Sequence, residues 1–184
     1  TGKKLHGIAT YVPAGLDCLG RPVDDAAYPL LLSTYRRAQH TKSRTAANYW
    51  LLDIKPDNAI QINPVDAAAA GVKDGDNVKV LSASNPEGVW QITDKWAKPM
   101  IGRVQVDPGM RPGVVTFSLG MGHWAYGATD AIVDGRTIKG DERRGRGIHA
   151  NAAMRVDPHL KNTCLSDSVG ASAVFYDTRI KLEK

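Results

Sequence analysis

The chain has 184 residues, 42% of them apolar and 23% charged, with a formal net charge of +5. Those proportions belong to an ordinary globular domain with its own core, and the scattered basic residues do not draw the continuous stripe of a nucleic-acid groove. Two distant cysteines, Cys18 and Cys164, argue against a disulfide framework while leaving a single bridge open, they cannot build a four-cysteine zinc or iron–sulfur site from this chain alone, and no apolar stretch is long enough to span or insert into a membrane.

Eighteen glycines and ten prolines imply many turns and a β-rich architecture. Residues 1–27 show little periodicity and are expected to be a lead-in segment, with the folded domain occupying 28–184. Residue 1 is threonine, which suits a processed product or an excised piece of something longer. "YPLLLSTY" is expected to be a buried strand, since its apolar run is short and opens with proline. "ANYWLLDI" suits one or two helical turns. Ile60 and Ile62 alternate on a strand that meets Asn63-Pro64, a good N-cap followed by a good first helical residue. A short helix should then run to Ala70 and stop at Gly71, before "KDGD" turns the chain into a strand carrying Val78 and Val80. "GVWQITDKW", "RVQVDP" and "VVTFSL" add strand signals. Residues 128–147 look like a charged, glycine-rich exposed excursion, "HANAAM" and 157–172 look like loops, and "AVFYDTRIKLEK" closes the chain as a strand. Six or seven short strands with one or two small helices suggest a closed barrel.

Three stretches carry residues suited to chemistry. "LLLSTYRRAQHTKSRTAANYW" breaks from an apolar run into Ser33, Thr34, Arg36, Gln39, His40, Thr41, Ser43 and Arg44, with no acid from Leu30 to Trp50. Hydroxyls and guanidinium forks suit a diphosphate or a heteroaromatic ring edge, and they equally suit a solvated loop. In "GMGHWAYGA" three glycines allow close backbone approach to a flat ligand beside His123 and Trp124; a tight turn with a tryptophan plugged into the core fits the same letters. In "RGIHANAAM", Asn151 can offer a donor and an acceptor to a ring edge or simply form a turn, while His149 reads as a packing or surface residue. Tyr176 and Asp177 in "FYDTR" can face the same rim. There is no strained serine elbow, no paired-histidine metal motif and no phosphate loop of the Gly-Lys-Ser type.

The order of these parts resembles a known family. A strand running into "STYRRAQHTKSRT", then "INPVDAAAAGVKDGDNVKV" from Ile62 to Val80, then "GMGHW" and "GIHANAAM", is similar to the C-terminal, molybdopterin-dinucleotide-binding domain of the dimethyl-sulfoxide-reductase superfamily, found in large molybdenum and tungsten oxidoreductases. "SRT" and "GHWAYGA" most resemble the tetrathionate and arsenate reductase branch. The resemblance implies a mainly β fold, a six-stranded double-psi β-barrel with a few short helices. It implies cofactor contacts by Ser33, Thr34, Arg36, Gln39, His40, Thr41, Arg44, His123, Trp124, Asn151 and Tyr176, with His40 near the pterin closest to the metal. The cofactor would be molybdopterin guanine dinucleotide, two copies per parent enzyme, with molybdenum or tungsten and an iron–sulfur cluster held by other domains.

No catalytic residue or metal ligand is then expected in this chain. It would be a cofactor-binding lid of a catalytic subunit that reduces a sulfur or arsenic oxyanion such as tetrathionate in anaerobic respiration. Its partners would be the upstream domains, an iron–sulfur subunit for electron transfer, and a membrane-anchor subunit. The location would be periplasmic, or the extracytoplasmic face of the membrane, with the cytoplasm left open. Two alternatives stand beside this: a free-standing cofactor-binding subunit of a formate-type dehydrogenase, and a double-psi barrel that binds protein or peptide.

Overall fold

The computed structural model describes residues 7–9, 26–94, 96–125, 127–161, 163–166, 172–174 and 178–184. Most of the expected lead-in, and Tyr176 and Asp177, lie outside the described residues. The elements along the chain are β1 (Leu30–Tyr35), α1 (Tyr49–Ile54), β2 (Ile60–Ile62), α2 (Pro64–Ala69), β3 (Asn77–Ser82), β4 (Val89–Thr93), β5 (Trp96–Pro99), β6 (Ile101–Val106), β7 (Val114–Ser118), β8 (Ala131–Val133), β9 (Arg136–Ile138) and β10 (Thr178–Glu183). Short 3-10 helices cover Lys42–Thr45, Glu142–Gly145 and Ala150–Ala153. The last of these replaces the loop expected for "HANAAM".

Six strands close a barrel in the order β1-β10-β3-β6-β2-β7. Two neighbouring pairs are parallel, β1 with β7 and β2 with β6, and the other contacts are antiparallel. Turning this ring over about its β2–β7 and β3–β10 contacts exchanges β1, β2 and β3 with β6, β7 and β10. Each parallel pair then falls on the other. Two interlocked three-strand halves related in this way make the expected double-psi barrel, although no repeat is visible in the letters. The remaining strands form two hairpins outside the barrel, β4–β5 and β8–β9. "GVWQITDKW" therefore supplies a hairpin strapped to the barrel rather than barrel staves.

Alternation along the staves fills the interior. Leu32, Ile60, Ile62, Val78, Val80, Val104, Val115, Phe117 and Ile180 are all essentially inaccessible to water and pack into one cluster. On β1 the buried positions are Leu30, Leu32 and Thr34, so period-two geometry turns the Thr34 side chain inward with the leucines.

Strand directions decide which loops meet. β1, β3 and β7 end at one rim of the barrel, where β2, β6 and β10 begin. The polar loop after β1, the β4–β5 hairpin, the turn after β7 and the long excursion before β10 all gather at this upper rim. Among the described residues, the connections at the lower rim are α2 with its following turn and the 107–113 segment.

The longest sequence motif builds that lower rim. The Asn63 side chain caps α2 by accepting from the Val65 N–H at 2.9 Å, and it donates to the Met110 carbonyl at 2.6 Å. Asp66 accepts from the Gly113 N–H at 2.7 Å, and Asp74 from the Val106 N–H at 2.8 Å. Gly71 ends the helix with φ +68°, a backbone state that costs glycine little. "INPVDAAAAGVKDGD" is thus a barrel floor whose polar side chains bind backbone. Asn63→Ala should destabilise the fold by about 1–3 kcal/mol in urea unfolding, through loss of the cap and an unsatisfied carbonyl, while leaving upper-rim amide resonances in place.

Candidate functional site at the upper rim

Parallel pairing of β1 and β7 sets Tyr35 beside Ser118, so the chain leaves both strands at the same point. The two segments that follow touch at backbone level. A side chain at Gly120, whose φ is +94°, would run into the Lys42 and Ser43 backbone. One at Gly122, φ +76°, would strike the backbone of Ile148 and His149. The glycines of "GMG" therefore permit close approach of the chain to itself, and this contact defines the walls of a cleft.

Asn58, almost wholly buried, joins the same three segments. Its amide donates to the Ser118 carbonyl at 2.7 Å and to the Ile148 carbonyl at 2.8 Å, and its carbonyl accepts from the Ile148 N–H at 2.7 Å. Met121, Ala46 and Leu52 form a small second core beneath the loop after β1, with Tyr49 packed against it. Arg143 and Arg144 lie over the Tyr49 ring at 4.6 and 4.7 Å, tying the 142–145 turn to α1.

Three clefts adjoin along this rim. The central one, about 230 Å³, is lined by Lys42, Ser43, Leu119, Gly120, His123, His149, Ala150 and Asn151. His123 is shared with a cleft of about 380 Å³ that Lys98, Trp124, Thr129, Glu142 and Arg146 also line. Asn151 is shared with a third, about 500 Å³, beside Arg155, Lys161, Thr163 and Cys164. Among the described residues, five lysines and arginines line the set against one acid, Glu142. A groove of that charge, with hydroxyl, amide and aromatic side chains interspersed, suits an extended anion carrying planar rings.

His149 is flanked by rings. It stacks on Trp90 of β4 with centroids 4.0 Å apart and planes at 20°, and it lies 4.9 Å from His123. Burial first, then the nearby His123 and Lys98, push its pKa down to about 4. Burial and Lys98 also lower His123, and burial lowers Lys98 itself. At neutral pH His149 is uncharged, available for stacking and hydrogen bonding rather than for charge pairing.

The expected site residues separate into groups. His123 and Asn151 share the central cleft, and Trp124, 42% exposed, stands beside His123 in the next. From the donor-rich segment it is Lys42 and Ser43 that line the cleft. Arg36, Gln39, Thr41 and Arg44 are exposed on the loop, Ser33 is half-buried on β1, and Thr34 turns into the barrel. His40 is not among the residues that line these three clefts. It is buried, with Nε2 donating to the Lys55 carbonyl at 3.2 Å and Nδ1 facing the Thr45 hydroxyl at 3.4 Å. Those bonds fasten the loop to the end of α1. Lys42, Asn58, Trp90, Lys98 and the ring role of His149 were not anticipated. The half-buried packing of His149 alone had a signal, its position between two apolar residues in "GIHA".

The fold is a closed double-psi barrel with a basic, aromatic-lined groove at the rim where its parallel strands end. The family model for the molydopterin dinucleotide binding domain matches residues 30–165, and the chain belongs to that family. Over its whole length the chain is 41% identical to a selenate reductase subunit of Mesobacillus selenatarsenatis and 30% identical to a tetrathionate reductase subunit of Salmonella typhimurium. It is 27% identical over 88% of its length to the arsenate respiratory reductase molybdopterin-containing subunit of a Shewanella species. The chain covers 18%, 17% and 17% of those relatives, under a fifth of their length. In three dimensions it is similar to acetylene hydratase from Pelobacter acetylenicus, with a TM-score of 0.56 at 18% identity, covering 86% of this chain and 19% of that one. This likeness bears on the fold, and it agrees with the barrel.

The low pKa of His149 gives a pH test. The ordinary value is 6.5 and the folded value about 4, so the unfolded chain takes up the proton first as pH falls. The stability this group contributes is complete above about pH 6.5 and is lost as the pH drops toward 4. The urea midpoint should therefore fall across that window, and His149→Gln should flatten the fall.

Proposed function

We propose that this chain is the cofactor-binding domain of a larger molybdopterin oxidoreductase, and that its upper-rim groove closes over molybdopterin guanine dinucleotide. The observation that carries this reading is the convergence of His123, Asn151, Lys42 and Ser43 on one cleft, continuous with basic clefts on either side. The donor set suits the group: Ser43 and Asn151 offer hydrogen bonds to ring edges, Lys42 and Arg146 offer charge to a diphosphate, and His123 and Trp124 offer flat faces. His40 serves from beneath by holding the loop, and Arg36 and Arg44 are exposed on that loop to contact either the cofactor or the rest of the parent protein. Two copies per parent enzyme, and a metal held by other domains, belong to the same proposal, as does the division at residue 28.

When bound, the dinucleotide with its metal supplies the two-electron redox chemistry. The chain's own residues bind and orient it. Its walls are set by backbone contacts at Gly120 and Gly122 and by the buried Asn58, so little is left to reorganise on binding. Neutral His123 and His149 keep the central cleft from accumulating cations, which leaves the charge there to Lys42, with Lys98 in the adjoining cleft.

We extend the reading to the parent enzyme as a terminal reductase for an oxyanion of sulfur or arsenic. The similarity to a selenate reductase brings selenium into that class. An iron–sulfur partner, a membrane-anchor subunit and an extracytoplasmic location follow from the resemblance alone.

Calorimetric titration of the chain with molybdopterin guanine dinucleotide, and with GDP as a surrogate, tests the site. Binding should weaken by about tenfold in Lys42→Glu and in Asn151→Asp, each of which sets a negative charge in the cleft. The chain by itself should not reduce selenate, tetrathionate or arsenate with an artificial electron donor. Binding that is unchanged in both variants, or turnover by the chain alone, contradicts the reading.

A further inference from the structure

The β4–β5 hairpin has no part in the barrel, yet it reaches the groove twice. From β4, Trp90 provides the surface on which His149 stacks. From β5, the half-buried Lys98 ammonium donates to the Gly122 carbonyl at 3.0 Å and to the Gly145 carbonyl. Those carbonyls belong to two different segments, the turn after β7 and the 3-10 helix of the excursion. The Gly122 N–H, donating to the Arg146 carbonyl at 2.8 Å, ties the same segments from the other side. The hairpin is itself anchored, since the Asn85 side chain joins the Val89 carbonyl at its base to the Ala152 carbonyl at 2.8 Å.

We propose that Lys98 is a positioning residue for the cofactor groove, clamping the His123 turn to the Gly145 turn through two carbonyls and setting the electrostatic environment of the His123–His149 pair. The inference rests on the groove being the cofactor site as read above, but its physical core is a property of the ligand-free chain. A neutral, apolar side chain of similar length would leave two partly buried carbonyls without a donor. A half-buried ammonium that lines the same cleft as His123 also opposes imidazole protonation, and the lowering of both histidines by Lys98 agrees with that placement. Among the described residues, the other charged groups lining the clefts of the pair are Lys42 from the loop after β1 and Glu142 and Arg146 from the excursion. Among these, it is Lys98 that is hydrogen-bonded to both walls of the cleft that His123 shares with Trp124. The residue therefore acts on the cofactor through the shape and charge of the wall.

The test uses the 184-residue chain without ligand. Ring-nitrogen spectra of the histidines, recorded across the acid range, give the titration midpoints of His123 and His149 in wild type, Lys98→Met and Lys98→Arg. The proposal expects both midpoints to rise in Lys98→Met and to stay low in Lys98→Arg, with amide exchange at Gly122 about tenfold faster or more in the Met variant only. Unmoved midpoints and unmoved exchange in a folded Lys98→Met chain overturn it. If the Met variant does not fold, Lys98→Gln, which keeps a donor and drops the charge, must raise both midpoints, and midpoints that stay put overturn the proposal. Titration with GDP adds the functional arm: binding should weaken in Lys98→Met and recover in Lys98→Arg, and equal binding by all three overturns the positioning role. A wild-type chain that ignores GDP counts against the cofactor reading, and the histidine midpoints then decide on the clamp by themselves.

Discussion

The structure depends on the parallel pairing of β1 with β7, five residues in register from Leu31–Val114 to Tyr35–Ser118. Antiparallel neighbours would send their exits to opposite rims. Parallel neighbours must release the chain side by side, and here they release a polar, acid-free loop next to a glycine-rich turn. The ring order that permits this pairing also sends the β4–β5 hairpin and the excursion before β10 to the same rim. Among the described residues, the other rim carries α2 with its turn and a short connection, both occupied with closing the barrel.

Once the segments meet, they are held by contacts that tolerate little movement. Glycine at 120 and 122 lets backbone pack on backbone, and Asn58 satisfies three buried backbone groups from two distant parts of the chain. A buried side chain with its donors and acceptors all used has few alternative positions, so it fixes the distance between the β7 exit and the 148–149 segment. The groove is consequently formed before any ligand arrives. Its electrostatics follow from the same packing, since burial of His123 and His149 among rings and a lysine favours their neutral forms.

Local rules made much of the fold legible. Asn63-Pro64 and Gly71 marked the ends of α2, the apolar alternation marked the staves, and the family motif pointed to the barrel. The hairpin nature of "GVWQITDKW" and the 3-10 turn of "HANAA" were not legible, because both depend on what they lean against. The cleft lining was readable in its parts that form turns, His123, Trp124 and Asn151, since glycine and asparagine announce a bend. It was less readable in the donor-rich loop, where composition promised arginine and histidine. There, backbone geometry turned Lys42 and Ser43 to the cleft and folded His40 beneath. Asn58, Trp90 and Lys98 carried no local signal at all. Their roles exist only through partners far along the chain, such as Asn58 with Ile148, 90 residues away, and sequence spacing does not encode such distances. The most specific stretch of the sequence, from Ile62 to Val80, identifies the family through residues that hold the barrel floor and not through residues that face the groove.

The measurement closest to the central claim is amide chemical-shift mapping of the chain during titration with molybdopterin guanine dinucleotide. The account predicts shifts confined to the upper rim, at Lys42, Ser43, Gly120, His123 and Asn151, with Gly71, Gly75 and Gly109 at the opposite end unmoved. Shifts clustered at the lower rim, or spread with no focus while the ligand binds, would contradict it.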